Sequence, residues 1–149
     1  MSVLMGVGPT VRVYRGPSTV KLTQELHFHF SGDSSGPALG ILTTQEFWEH
    51  HDDDRVAFTI GPKFVYDIQP IPKVGFYISP DVSAGYRVEA WESGRTRHRG
   101  DAYFGVAAKL LLDDRWIMWV RPVGFGFLFD ADYGVAFRYE FIMGGGITF

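Results

Sequence analysis

Apolar and polar side chains alternate along most of this chain of 149 residues. The alternation is clearest in residues 135–149, where Phe137 and Tyr139 alternate with Arg138 and Glu140. Successive side chains leave a β-strand on opposite faces, so a period of two predicts a strand with one apolar and one polar face. We therefore predict a long terminal strand that separates two different environments.

Earlier segments show the same period of two and are separated by turn residues such as Gly, Pro, Asp and Ser. They cover residues 3–13, 20–30, 38–49, 56–69, 74–89, 102–113 and 116–130. Strands of about 11 to 15 residues exceed the usual length of about 5–6 residues in soluble sheets. The chain length suits one domain. We predict a single all-β domain, an up-and-down antiparallel barrel of about eight strands.

The third segment does not show which of its faces is apolar. Leu39, Ile41 and Phe47 compete with Leu42 and Trp48 for that face. The facing of this strand stays open at this stage.

The apolar parity changes within residues 116–130. Met118 lies on one parity and Phe125 on the other. One extra residue in a strand shifts the facing of everything beyond it, so we predict a β-bulge near Arg121 and Pro122. We expect bulges at the other prolines inside strands as well, namely Pro9, Pro62 and Pro80.

Composition and charge narrow the classes of function. Aromatic residues make up 16% of the chain and glycine occurs 18 times, which favours strands and tight bends over helices. A net charge of -3 gives no basic field, so we expect no nucleic-acid partner. The chain has no cysteine, which excludes disulfides and thiolate chemistry. No apolar run approaches the about 20 residues that a membrane helix requires.

A barrel with one apolar and one polar face has two possible arrangements. In a soluble, lipocalin-like barrel the apolar face surrounds a lipid ligand, whereas in a membrane barrel it faces lipid. Many strand glycines fall on the polar parity, where a narrow lumen needs small residues. They are Gly6, Gly8, Gly61, Gly75, Gly85, Gly105, Gly144 and Gly146. This favours a transmembrane barrel with the polar face inside.

The polar parity also carries charged residues of both signs. We expect them to pair across strands and to fill the lumen. They are Arg12, Lys21, Glu25, Lys63, Asp67, Arg87, Glu89, Lys109, Arg138 and Glu140. The connections at residues 50–55 and 92–101 are predicted to be longer and more charged than the others, which is partly the loop asymmetry of outer-membrane barrels.

On these patterns the chain resembles small, eight-stranded bacterial outer-membrane β-barrels over essentially its whole length. The alternation, the Gly61-Pro62 pair followed by Tyr66, and the last strand carry the resemblance. Gly144, Ile147 and Phe149 resemble the assembly signal of that family, although Ile142 stands where a polar residue is usual. The resemblance implies a Gram-negative outer membrane, recognition by the barrel-assembly machinery, and a signal peptide that has been removed.

The family includes adhesins, structural anchors, narrow channels and lipid A enzymes, so the resemblance implies no single activity. We expect a monomer with a structural, anchoring or narrow-pore role, with a lipid A-modifying enzyme and a soluble lipid-binding barrel as alternatives. Catalysis of the deacylase type needs His and Ser close together on one strand, and no His-x-Ser occurs here. A triad from His27 or His29 with Glu25 and Ser79 or Ser83 is the remaining arrangement, and we expect lumen filling instead.

Two charged segments are candidates for ligand binding. The first, residues 50–54, has the sequence His-His-Asp-Asp-Asp, which either binds a metal or is simply solvated; we expect no metal and no cofactor. The second contains Arg95, Arg97 and Arg99, which either grip the phosphates of lipopolysaccharide or pair with the acidic residues 52–54.

Overall fold

The computed structural model describes residues 1–13, 18–31, 35–48, 54–130 and 134–149. Eight antiparallel strands form one closed barrel. They are β1 (Ser2–Arg12), β2 (Thr19–His29), β3 (Gly36–Trp48), β4 (Arg55–Ile71), β5 (Phe76–Trp91), β6 (Thr96–Leu112), β7 (Trp116–Asp130) and β8 (Gly134–Thr148). A short 3-10 helix, Pro72–Val74, joins β4 to β5. None of the described helices is long and apolar enough to cross a membrane.

Each strand pairs with the next along the chain, and β1 pairs with β8 to close the barrel. The closing register sets Val3 opposite Ile147 and Val11 opposite Tyr139. The predicted all-β, up-and-down barrel is confirmed. The observed strands of 11 to 17 residues are slightly longer than predicted.

The two faces of the strands meet different environments. Tyr86 and Phe104 on the apolar parity are 54% and 48% exposed on the outer wall, while Arg87 and Arg138 on the polar parity are 0% and 1% exposed in the lumen. A charged interior under an apolar exterior is the reverse of a lipocalin-like barrel, and it is the arrangement that lipid requires. The observed arrangement of the two faces is the one predicted for a membrane barrel.

The facing of β3, which the sequence left open, follows from its register. Leu39, Ile41 and Phe47 are each more than two-fifths exposed on the outer wall, whereas Leu42 is 7% exposed and faces the lumen. The register with β4 sets Ile41 opposite the outward Pro62 and Leu42 opposite Gly61. Neighbouring strands on both sides therefore decide which face of β3 is outside.

The bulge predicted in β7 is confirmed. The strand contains one residue more than β8 between Arg121 and Gly124, and one more than β6 between Val120 and Val123. The Tyr139 hydroxyl donates a hydrogen bond to the carbonyl of Pro122 on the outer wall. The extra residue lets the chain keep Met118 and Phe129 outside, although they lie on opposite parities.

Bulges at the other strand prolines were a wrong prediction. Pro9, Pro62 and Pro80 lie opposite Val20, Ile41 and Val106 in registers without a shift. A proline removes one ladder donor, but it does not change the number of residues in the strand. The ladder is therefore interrupted at these positions and the facing is unchanged.

The predicted long connection over residues 92–101 was also wrong, because β6 begins at Thr96. Arg97, Arg99 and Asp101 are lumen residues that alternate with the outward Thr96 and His98. The polar residues at the start of β6 had been interpreted as part of a loop. The bounds of the described strands leave only a few residues between consecutive strands at either end of the barrel, which does not match the predicted asymmetry between long loops and short turns.

Candidate functional site

The barrel lumen is filled in layers, which we describe from the terminal end, where the Phe149 amide donates to the carbonyl of Met1 at 2.8 Å. The opposite end is called the distal end. An apolar cluster of buried residues lies nearest the termini: Leu4, Ala107, Ile117, Trp119 and Ile142.

Trp119 is the largest member of this apolar cluster and is 4% exposed. Its indole nitrogen donates a hydrogen bond to the carbonyl of Met5 at 3.2 Å. Gly6 leaves the space for the ring, because a Cβ on Gly6 would lie 2.4 Å from Cζ2 of Trp119. Ile142, which stands where the assembly signal usually has a polar residue, is 0% exposed within the same cluster.

The first charged layer centres on two neighbouring groups. In one, Asp67 accepts hydrogen bonds from Lys109 at 2.7 Å and from Ser79, and lies 2.8 Å from His29 Nε2. All these groups are buried or partly buried on the lumen face. The aspartate therefore joins β2, β5 and β6 to its own strand, β4.

In the second group, Glu25 accepts hydrogen bonds from Lys63 at 2.8 Å and from Arg121 at 2.9 Å. Both cations also contact Asp81, at 3.3 Å and 2.9 Å respectively. His27 lies 3.0 Å from the same glutamate. The cations Lys63, Arg121 and Lys109 thus match the carboxylates Glu25, Asp81 and Asp67 in number.

The middle layer is built around Arg138. Its guanidinium contacts Glu46 at 2.6 Å, Asp101 at 2.5 Å and Glu140 at 3.2 Å. Lys21 binds both oxygens of Glu140 at 2.8 Å. A guanidinium with planar, fixed donors is suited to bridging several carboxylates at once.

Arg87 connects the middle layer to the distal layer. It binds Glu46 through two hydrogen bonds, of 2.6 Å and 2.8 Å, and Glu89 at 2.9 Å. Glu89 also lies 3.8 Å from Arg12 and 3.4 Å from Arg55. The ion pairs of Arg138 and Arg87 therefore form one network that runs from the middle layer to the distal mouth.

All the predicted lumen charges lie in the lumen, and each of them forms an ion pair there. Sequence reasoning missed further members: Glu46, Arg55, Asp81, Asp101, Arg121 and Asp130. Glu46 lies on the strand of open facing, Arg121 at the bulge, and Asp101 in the segment read as a loop. Parity places these residues on the lumen face. The open facing of β3, the bulge in β7 and the late predicted start of β6 kept them from being assigned to it.

Arg95, Arg97 and Arg99 do not form one exposed cluster. Arg97 and Arg99 turn inward and contact Asp130 at 2.6 Å and 3.0 Å. Arg95 is exposed in the β5–β6 connection, with its guanidinium 5.5 Å from the centre of the Trp91 ring. The expectation that all three arginines bind one phosphate group was wrong. Side chains alternate along strand β6, so Arg97 and Arg99 face the lumen.

The arrangement of a catalytic triad is not observed. His27 and His29 each contact a carboxylate, Glu25 and Asp67, and Ser79 donates to Asp67. Among the described residues no group of His, Cys, Asp or Glu is arranged to hold a metal ion. Residues 50–53 of the candidate metal segment lie outside the described residues.

The residues of the expected assembly signal lie at the terminal end of β8. Gly144 is partly buried on the lumen face, and a Cβ there would lie 1.8 Å from the carbonyl oxygen of Met5. Ile147 faces outward on the neighbouring parity, and Phe149 is 69% exposed.

Similarity to solved structures is found at the level of fold. The chain is similar to Neisserial surface protein A with a TM-score of 0.75 and 8% identity, over 99% of this chain and 95% of that one. It is similar to the N-terminal β-barrel domain of Pseudomonas aeruginosa OprF with a TM-score of 0.59 and 10% identity, over 99% and 97% of the two chains.

The outer membrane enzyme PagL is similar with a TM-score of 0.58 and 16% identity, over 100% of both chains. No protein-family model and no curated protein sequence matches the chain. These neighbours are small eight-stranded outer-membrane barrels, and the chain shares their fold.

Proposed function

We propose that this chain, which has the fold of small bacterial outer-membrane β-barrels, is an integral outer-membrane protein with a structural or anchoring role. The observation that carries the proposal is the reversal of faces, with apolar side chains outside and ion pairs inside. The outward parity of β4, β5, β6 and β8 holds no Asp, Glu, Lys or Arg. A charged side chain at the midplane of that surface would cost about 2–4 kcal/mol in lipid.

The lumen of this protein does not conduct ions. The apolar cluster around Trp119 fills one side of the lumen near the terminal end, and buried ion pairs occupy the rest. Cavities between the lumen side chains measure about 20 Å³ and 10 Å³, which is room for about one water molecule each. Passage of a hydrated ion would require several buried ion pairs to separate together.

Two measurements test the proposed function. The refolded protein should insert into phospholipid vesicles and should migrate differently on gels before and after boiling. In a planar bilayer the inserted protein should give no steady single-channel openings. A protein that stays soluble without detergent would contradict the membrane role, and stable nanosiemens openings would contradict the closed lumen.

We propose no catalytic role, because the lumen histidines are held by carboxylates and no described Ser donates a hydrogen bond to their rings. The similarity to PagL is one of fold, at 16% identity, and does not carry an activity. Mass spectrometry of lipid A incubated with the inserted protein tests this, since any product with a changed acyl pattern would overturn it.

Two partners are proposed on the residues that remain accessible. Arg95 beside Trp91 is suited to a phosphate of lipopolysaccharide, and Arg95→Gln should reduce co-purified lipopolysaccharide. Ile147 and Phe149 are accessible to the barrel-assembly machinery, and Phe149→Ala should slow the appearance of folded protein in cells. An unchanged amount of co-purified lipopolysaccharide, or an unchanged rate of assembly, would contradict the corresponding partner. The folded protein is proposed to be a monomer.

A further inference from the structure

An apolar trough of about 570 Å³ lies in the outer wall, on the terminal side of the β7 bulge. It crosses five neighbouring strands, from β5 through β8 to β1. Its lining includes Val7, Phe76, Ala108, Met118, Val120 and Met143. Its volume lies within the range of about 300–1,000 Å³ that ligand pockets occupy.

Two rows of outward residues explain the recess. In the upper row, Ala108 lies opposite Val120, and Val120 lies opposite Met143, so small side chains line part of the wall. In the row below, Gly145 lies between Met118 and Met5 on the neighbouring strands. A Cβ on Gly145 would meet only one atom, the Ile117 carbonyl oxygen, at 3.5 Å. The missing side chain opens the trough towards the terminal end.

The rim of the trough is flexible. Met118 and Met143 are 60% and 55% exposed, and methionine is an unbranched side chain that adapts to irregular apolar shapes. The trough is continuous with the apolar outer wall, so at this depth its neighbour is hydrocarbon. A recess of this kind, in which Lys109 is the charged residue of an otherwise apolar lining, matches a single acyl chain.

A cation lies below the open end of the trough. Arg115 is exposed in the β6–β7 turn, and its guanidinium is 5.8 Å from the centre of the Trp116 ring. The Thr148 amide donates to the Arg115 carbonyl at 2.9 Å, which ties the turn to β8. Trp116 precedes Met118 by two residues on the same outward face. An aromatic ring and a cation at this depth are typical of the membrane interface.

We propose that the trough binds one acyl chain of a phospholipid from the bilayer leaflet at the terminal end, with Arg115 contacting the lipid phosphate. The proposal rests on the membrane insertion proposed above. The lipid is bound by shape along the trough and by charge at its end, which distinguishes it from lipids that contact the rest of the wall.

The experiment is native mass spectrometry of protein released from vesicles of a phosphatidylglycerol. The wild type should retain one lipid under activation that strips other lipids. Val120→Trp, which fills the trough, should lower the retained fraction by at least about fivefold. Val82→Trp is the matched control, because Val82 is 52% exposed on the same wall and does not line the trough.

Arg115→Gln lies in an exposed turn and should lower retention of phosphatidylglycerol but not of uncharged diacylglycerol. If Val120→Trp fails to fold, this variant and Ala108→Leu decide the question. Equal retention by Val120→Trp and Val82→Trp, or a dimer mass in place of the lipid adduct, would overturn the trough. Failure of the wild type to insert into vesicles would instead overturn the proposed function, and the lipid site with it.

Discussion

Arg138 is a side chain on which three lumen carboxylates converge. It is 1% exposed and contacts Glu46, Asp101 and Glu140. Moving an ion from water into a protein interior costs several kcal/mol unless the charge is paired and hydrogen-bonded. The arginine and its three carboxylates therefore stabilise the lumen only as a complete set.

Arg138→Met should lower the free energy of unfolding by about 3–5 kcal/mol, because the replacement leaves buried carboxylates without this cation. Chemical denaturation of the detergent-solubilised barrel, followed by tryptophan fluorescence, measures the loss. Arg95→Met is the control, and loss of its contact with Trp91 should cost no more than about 1 kcal/mol. Adding Asp101→Asn to Arg138→Met should recover part of the loss. Equal costs for the two arginines would contradict a stabilising network.

Much of this network could be predicted, because parity alone shows whether a charged residue of a regular strand faces the lumen or the outer wall of the barrel. Lys63 and Glu89 are examples of such residues. What parity could not show is which partner each charge finds, since Glu46 and Arg138 are 92 residues apart in the chain. Parity also did not predict the cluster of Trp119 and Ile142, because it does not show which apolar residues on the polar face pack together.

At the level of the element, one extra residue in β7 sets which side chains of that strand face the lumen and which face outward. The bulge between Arg121 and Gly124 puts Trp119 and Arg121 into the lumen on one side, and keeps Phe125 outward on the other. A regular strand of this sequence would place either the aromatic half or the charged half on the wrong side. The extra residue is therefore required by the sequence of both halves.

Deletion of Pro122 should prevent folding, because one half of β7 would then turn its side chains to the wrong face. Gel migration before and after boiling reports the folded barrel, and the deletion variant should lack the folded band. Pro122→Ala keeps the residue count and should retain that band. A folded band from the deletion variant would show that the bulge does not set the facing.

Strand existence was predictable at this level, but strand ends were not. β6 begins at Thr96, within a segment of charged residues that resembles a solvated loop. The charged residues alternate there with outward ones, and Arg97 and Arg99 contact Asp130 on the neighbouring strand β7. Only the pairing with β5, which sets Thr96 opposite Ala90 and Arg99 opposite Arg87, shows that this segment is a strand.

For the whole molecule, the location of its charges determines how its stability depends on salt. Most ion pairs lie between buried side chains, such as Lys63 and Glu25, which are 0% and 1% exposed. Mobile ions screen exposed charges within about 10 Å at 0.1 M salt but reach buried pairs poorly. The electrostatic part of the stability is therefore shielded from the solvent.

The free energy of unfolding should change by less than about 1 kcal/mol between roughly 0.05 M and 0.5 M sodium chloride. Denaturation curves at the two salt concentrations, recorded in a nonionic detergent, measure the difference. A fall of several kcal/mol at high salt would mean that the pairs are open to solvent. That result would also weaken the closed lumen.

The last strand contributes Arg138 and Glu140 to the middle layer, where they meet Glu46 of β3, Asp101 of β6 and Lys21 of β2. Until β8 arrives, those three charges lack these partners and favour water over lipid. An unfinished sheet therefore carries a hydrated strip along its inner face, which opposes entry into the bilayer. Strand closure by β8 and membrane insertion therefore become a single event.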